Sequence, residues 1–213
     1  MGKYKKGILG AFSGKIGTVV GSSWKGIEYM RSLPKPTTKS PSDQQMIQRA
    51  KFALVSGFFR PASTLINLGY QSLAQGKSGY NVATGDFIED AIIGSYPNFD
   101  IDYSKVLFSK GILTGAYGIT AVPEPSKVKV SWADNSDSGT AKATDKIVIL
   151  VYNASKGQFV YNINNGATRN AEEDTLAMPA EFSGDTVEVW IAFMTPNKKI
   201  FSTSIHAGQV LIA

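Results

Sequence analysis

The chain has 213 residues, 43% of them hydrophobic, enough to bury a core in one large domain or two small ones. It has no cysteine and a single histidine, which excludes disulfides, thiolate nucleophiles and zinc sites built on Cys and His. The net charge of +5 is unevenly placed: residues 1–60 hold eleven Lys or Arg against Glu28 and Asp43, whereas residues 61–213 hold eleven against fifteen acids.

The N-terminus starts basic, and Ser13, Gly14 and Lys15 end its apolar stretch after about six residues, too few for a secretory signal or a membrane span. Lys6 stands where myristoylation favours Ser or Thr. The expectation is a soluble chain without a secretory signal peptide, cytoplasmic or particle-associated. In residues 7–32, Gly14, Gly17, Gly21 and Gly26 separate Thr18-Val19-Val20 from Trp24 and from Ile27-Glu28-Tyr29-Met30. Short β-branched runs between glycines predict a hairpin with Gly21-Ser22-Ser23 at or near its turn. A lone hairpin is marginally stable, so it has to lean on the rest of the chain or on another subunit. Leu33 to Pro41 carries three prolines in nine residues and reads as an extended connector.

Ser42 and Gln45 have the spacing of a capping box, and a helix is expected from there to Pro61. Met46, Ile47, Ala50, Ala53, Leu54, Gly57 and Phe58 fall on its apolar stripe. Further short helices are expected near 62–73 and 86–93. From about Asp102 the period becomes two. Val128, Val130 and Trp132 alternate with polar residues, Ile147 to Tyr152 is apolar on both faces as in a central strand, and Phe159, Tyr161 and Ile163 alternate again. Val187 to Phe193, Ile200 to Ile205 and Val210 to Ile212 complete about seven short strands, the pattern of an antiparallel sandwich. The fold class expected is α+β: an N-terminal β-hairpin and short helices, then an antiparallel β-sandwich. Its parts are a basic Gly-rich hairpin arm and Pro linker at 1–41, a short helical segment at 42–101, and the sandwich at 102–213.

Few residues offer chemistry. A Ser-His-Asp arrangement would have to use His206, which sits before Ala207-Gly208 at a turn, and no serine has a nucleophile-elbow context. Asp134-Asn135-Ser136-Asp137 starts like a calcium loop but lacks its Gly and distant Glu, and Glu172-Glu173-Asp174 is a plain acidic run, so both read as solvated turns. Asp100 and Asp102 would share a strand face. No phosphate loop is present: Gly7, Gly10 and Gly14 lack the terminal Gly-Lys-Ser/Thr. No catalytic residue, cofactor or metal is assigned. The basic segment remains, where Lys3, Lys5, Lys6, Lys15, Lys25 and Arg31 are interleaved with Trp24 and Tyr29, a mixture suited to phosphates and base stacking or to an acidic protein surface. Lysines that keep edge strands from pairing are the plain structural alternative.

The run Gly14-Lys15-Ile16-Gly17-Thr18-Val19-Val20-Gly21, with Trp24-Lys25-Gly26, Tyr29, Arg31-Ser32, Pro34, Thr38, Gln45, Arg49 and Phe52, resembles a Bacteroidota family known only as a domain of unknown function. A looser version, a Gly-rich hairpin ending in Arg, then a Pro/Thr linker, then Gln and Arg on a helix, resembles small proteins of phage and prophage structural regions. It departs at Ser40-Pro41-Ser42, where such proteins show Asn-Pro-x-Thr. The C-terminal half resembles a fibronectin-III or immunoglobulin-type sandwich, with Trp132 near the place of its core tryptophan. These resemblances imply a non-catalytic structural or interaction protein, a subunit of a phage-like particle or another multi-subunit assembly, with a protein partner or self-assembly. The alternatives are a nucleic-acid-binding protein using the basic arm, and a carbohydrate-binding β-sandwich with Trp190, Tyr152 or Tyr161 on an open face.

Overall fold

Glycine sets the turns of the N-terminal strands. The computed structural model describes residues 2–4, 7, 10–24, 26–36 and 40–212, and the chain divides into two units, Met1–Ser42 and Asp43–Ala213. The first unit is an antiparallel meander of β1 (Lys3–Tyr4), β2 (Phe12–Ile16), β3 (Val19–Trp24) and β4 (Ile27–Ser32), in that order across the sheet. The β2–β3 turn falls at Gly17-Thr18, with Gly17 at φ +58, a backbone that glycine adopts without a Cβ clash. Gly21-Ser22-Ser23, expected at the turn, instead lies inside β3, where Gly21 pairs with Gly14 and Met30. The reason is close approach, since a Cβ on Gly21 would stand 2.1 Å from the Phe12 carbonyl oxygen.

The second unit begins with α1 (Asp43–Phe59), a 17-residue helix that gives way at Pro61 to a short 3-10 turn. Two shorter helices follow, α2 (Ser63–Gly69) and α3 (Gly79–Asp90); the Ser78 hydroxyl caps α3 by accepting the Asn81 N–H at 3.2 Å. A small hairpin, β5 (Ile92–Ser95) with β6 (Asn98–Ile101), leads into the β-rich part.

Seven strands follow: β7 (Tyr117–Glu124), β8 (Lys127–Ala133), β9 (Lys146–Asn153), β10 (Gln158–Tyr161), β11 (Glu173–Ala177), β12 (Thr186–Met194) and β13 (Ile205–Leu211). They form two antiparallel sheets, ordered β11-β8-β7 and β10-β9-β12-β13. Alternation along β9 and β12 divides their side chains between two cores. Ile147, Ile149, Val151, Val189 and Ile191 meet Val128, Val130 and Trp132 of the three-stranded sheet. Val148, Leu150, Trp190 and Met194 meet Phe58, Phe59, Leu65 and Phe108 on the helical side. The four-stranded sheet is therefore covered on both faces.

This corrects the expected layout of short helices followed by a sandwich. The chain is a mixed α and antiparallel-β protein, but its first helix is long, and the helices form a layer on the sheet because β9 and β12 each carry a second apolar face that has to be removed from water.

Candidate interaction surface

The register of the N-terminal sheet decides which of its residues act together. Lys15 pairs with Val20, and Val20 with Arg31, so the three share one face. Tyr29 lies two residues from Arg31 and pairs with Ser22, and Trp24 lies two residues from Ser22 and pairs with Ile27. Because side chains alternate along a strand, Lys15, Trp24, Ile27, Tyr29 and Arg31 project from the same side, while Glu28 and Met30 project from the other. The face thus combines two cations, two aromatic rings and two aliphatic side chains, Val20 and Ile27, with no acid.

Lys3 pairs with Ser13 of β2, two residues before Lys15, and Gly14 between them has φ +103. Lys5, Lys6 and Lys25, which the sequence groups with this surface, lie outside the described residues.

Exposure makes the surface usable. Ile27 is 69% exposed, Trp24 50% and Tyr29 44%, with Met30 at 71% on the opposite side. Every residue of β4 is exposed, and β4 is an edge strand whose outer row of backbone groups has no ladder partner among the described residues. A cleft of about 300 Å³ lies between Ala11 and Phe12 on one side and Glu28, Tyr29 and Met30 on the other. Such a face can hold carboxylates or phosphates at its cations, stack planar groups on its rings, or accept a strand at its edge.

The remaining sequence candidates are dispersed. His206 is in β13 rather than a loop, with Nε2 2.8 Å from Glu188 Oε2, and the Gln209 side-chain amide donates to Glu188 Oε1 at 2.7 Å. Glu188 is buried, and nothing in the sequence marks it beyond its alternation with Val187 and Val189. Tyr103 is pushed up to about 12 by burial first, then by Tyr152, Asp100 and Glu188. Trp190 is 1% exposed, with its indole N–H donated to the Tyr103 carbonyl, and Tyr152 and Tyr161 are half-buried against the helical core, so Trp190 has no ring face to offer a sugar.

The two acids expected on one strand face separate. Asp100 pairs with Ile93 in the β5–β6 hairpin, and Asp102 caps the next turn, its carboxyl held below the usual range by the Ser104 hydroxyl. In the calcium-like loop, Asp134 accepts the Ser136 N–H at 2.9 Å, and Asn135 turns inward to Arg169. Among the described residues no group of three or more His, Asp or Glu could hold a metal ion.

The least expected group is Arg169, which is completely buried. Its Nη1 donates to Asn135 Oδ1 at 2.6 Å and Nη2 to the Thr114 carbonyl at 2.9 Å, Asp145 lies 3.2 Å from Nη2, and the guanidinium sits 3.8 Å above the Phe193 ring. Burial lowers its pKa and Asp145 opposes that. Among the described residues, Arg169 Nε and one Asp145 oxygen have no hydrogen-bond partner.

Residues 11–208 match the family of unknown function DUF6266. The chain belongs to this family. The DUF6266 match runs from the start of β2 into β13, so it takes in most of the N-terminal sheet as well as the helices and both larger sheets. No curated protein matches the chain. Among solved structures it is similar to a family 76 glycoside hydrolase from a bovine Bacteroides thetaiotaomicron strain, with 16% identity over 46% of this chain and a TM-score of 0.35. The chain covers 20% of that enzyme, and a likeness this distant carries no argument about activity. No helix among the described residues is long and apolar enough to cross a membrane.

Proposed function

We propose that this chain is a non-catalytic structural protein, a subunit of a phage-like particle or another multi-subunit assembly, and that its N-terminal sheet is the docking element. The observation that carries this reading is that Gly21 is the one buried residue among the described residues of Met1–Ser42. A four-stranded sheet with no interior gains almost nothing from burial, and it is stabilised when a partner covers Trp24, Ile27 and Tyr29. The strand orders β11-β8-β7 and β10-β9-β12-β13 support a sandwich of the fibronectin-III or immunoglobulin class, in which the fourth strand joins the sheet of the third. Such sandwiches host adhesion and assembly on many unrelated chains, an argument by analogy of fold. The test is the solution mass, by light scattering, of the full chain and of a chain lacking residues 1–32. Loss of assembly on deletion is expected; an unchanged mass refutes the reading.

A second reading, nucleic-acid binding, is favoured by the acid-free face carrying Lys15 and Arg31 beside Trp24 and Tyr29. Retention on DNA or RNA that falls steeply with salt and disappears in Lys15→Ala/Arg31→Ala supports it, and no retention at low salt removes it.

A further inference from the structure

We infer that the second unit carries a binding cleft for a small hydroxylated carboxylic acid of the sugar-acid class, at the end of the sheets where β9 starts and β12 stops. Three segments meet there: residues 112–114 ahead of β7, the β8–β9 loop and the β12–β13 loop. The cleft measures about 410 Å³, within the range of small-molecule sites. Cross-loop hydrogen bonds fix its shape. The Thr114 N–H donates to the Thr140 hydroxyl at 2.8 Å and the Leu113 N–H to the Phe201 carbonyl at 3.3 Å, so residues 112–114 are stitched to both loops. A site formed in advance loses little freedom on binding.

Asp145 is the most deeply buried of the lining residues. Its Oδ2 is taken by Arg169 and by the Lys142 N–H, whereas its Oδ1 has no partner, nor has Arg169 Nε. Buried polar groups are nearly always paired. An acceptor and a donor left open in one ion pair at a cleft call for a group that both donates and accepts, as a hydroxyl or the water it carries does. The mouth adds further hydrogen-bonding groups. The Lys142 ammonium, the Thr144 hydroxyl and the Asn197 side-chain NH₂ have no partner among the described residues. The Asn197 carbonyl oxygen, by contrast, is held by the Thr195 hydroxyl at 2.7 Å and the Lys199 N–H at 3.1 Å.

Charge and shape narrow the class. Asp145 is the one acid lining the cleft among the described residues, and Arg169 already offsets it, so the positive charge of Lys142 is left uncompensated. That charge repels a metal cation or an amine and suits one carboxylate; a phosphate dianion is better matched by an arginine fork or a row of backbone N–H groups. No aromatic ring lines the cleft among the described residues, so it has no platform for a planar ligand. Its apolar wall is aliphatic instead, built from Ile112, Pro196 and Ile200, with Ile112 77% exposed. Such a wall packs against the C–H edge of a saturated ring. One carboxylate, several hydroxyls and saturated carbon together describe a uronic acid.

The test is titration of D-glucuronate and D-galacturonate into the isotope-labelled full chain, followed through its amide resonances, with D-glucose and acetate for comparison. At millimolar concentrations one of the two sugar acids should shift the amides of residues 112–114, 140–145 and 195–200; glucose should bind there more weakly and acetate should not bind. Lys142→Ala keeps the backbone N–H that Asp145 accepts, so it should spare the fold, weaken the sugar acid about tenfold and leave glucose unchanged. Lys142→Arg should restore the affinity, and Thr144→Val/Asn197→Ala should weaken both sugars. Absence of shifts in these segments with either sugar acid overturns the inference. So do shifts that acetate reproduces in full, equal affinity for glucose and the sugar acid, or an affinity that Lys142→Ala does not change. None of these results bears on the N-terminal sheet, whose deletion test is separate.

Discussion

Replacing Arg169 by Met keeps much of the side-chain volume and removes the charge that Asp145 faces. Asp145 is itself fully buried; one of its oxygens accepts the Lys142 N–H at 2.8 Å and the Arg169 bond at 3.2 Å, and the other has no partner. The substitution leaves a carboxylate in the core with one backbone N–H for compensation, and the Thr114 carbonyl and Asn135 side chain each lose a donor. Breaking a buried ion pair from one side costs about 3–5 kcal/mol. Taking about 4 kcal/mol and a urea m-value of about 2 kcal/mol/M, the midpoint of unfolding should fall by about 2 M. Tryptophan fluorescence reports it, because Trp132 and Trp190 are buried in this unit, and the Trp132 indole N–H donates to the Arg169 carbonyl at 2.7 Å. Arg169→Met/Asp145→Leu should cost less than Arg169→Met alone, since no charge is then stranded. A single-variant midpoint within about 0.5 M of wild type, or a double variant worse than the single, refutes the argument.

Tyr70 is fully buried with a hydroxyl that has no hydrogen-bond partner, and burial, followed by Asp86 and Asp90, raises its pKa. Tyr70→Phe should therefore hold or raise stability, by about 1 kcal/mol, and a comparable loss in chemical denaturation would show that the hydroxyl has a partner after all. Asp185 is held below the ordinary carboxylate range by Lys156 and then Asn153. A carboxyl whose pKa is lower folded than unfolded adds stability above about pH 4 and loses it as pH falls through the folded value. The melting temperatures of wild type and Asp185→Asn should accordingly converge on acidification below about pH 4, and a gap independent of pH would contradict the linkage.

How far the sequence speaks depends on where a strand lies. Val128-Val130-Trp132 and the doubly apolar Ile147–Tyr152 announce β8 and β9, because inner strands are patterned by the cores they face. β7 carries Gly118 and Pro123, and β11 opens with Glu173-Asp174; both are edges of the three-stranded sheet, where prolines and charges are tolerated and the period is blurred. Lys129 and Glu173 even pair across β8 and β11 at 2.6 Å. The stretch expected as a strand at 200–205 forms isolated bridges at Phe201 and Ser202, and the strand proper runs through His206 and Gly208, which no hydrophobic pattern marks. For the candidate surface, the residue types were legible and their grouping was not. The β3–β4 register, which sets Trp24 opposite Ile27 and on the face of Tyr29, is not written in the residue types. Arg169 gave no signal, since a lone arginine in a loop is ordinarily solvated.

Enclosure of the four-stranded sheet from both sides has a mechanical consequence. The helices and the three-stranded sheet have few reasons to hold each other directly; each is fastened to opposite sides of β9 and β12. Peeling either layer away would wet Trp190 and Leu150 or Ile149 and Val189, so amide protons along those two strands should exchange only when the whole unit opens. A fold built this way transmits a load applied at α1 into its centre rather than shedding a helix.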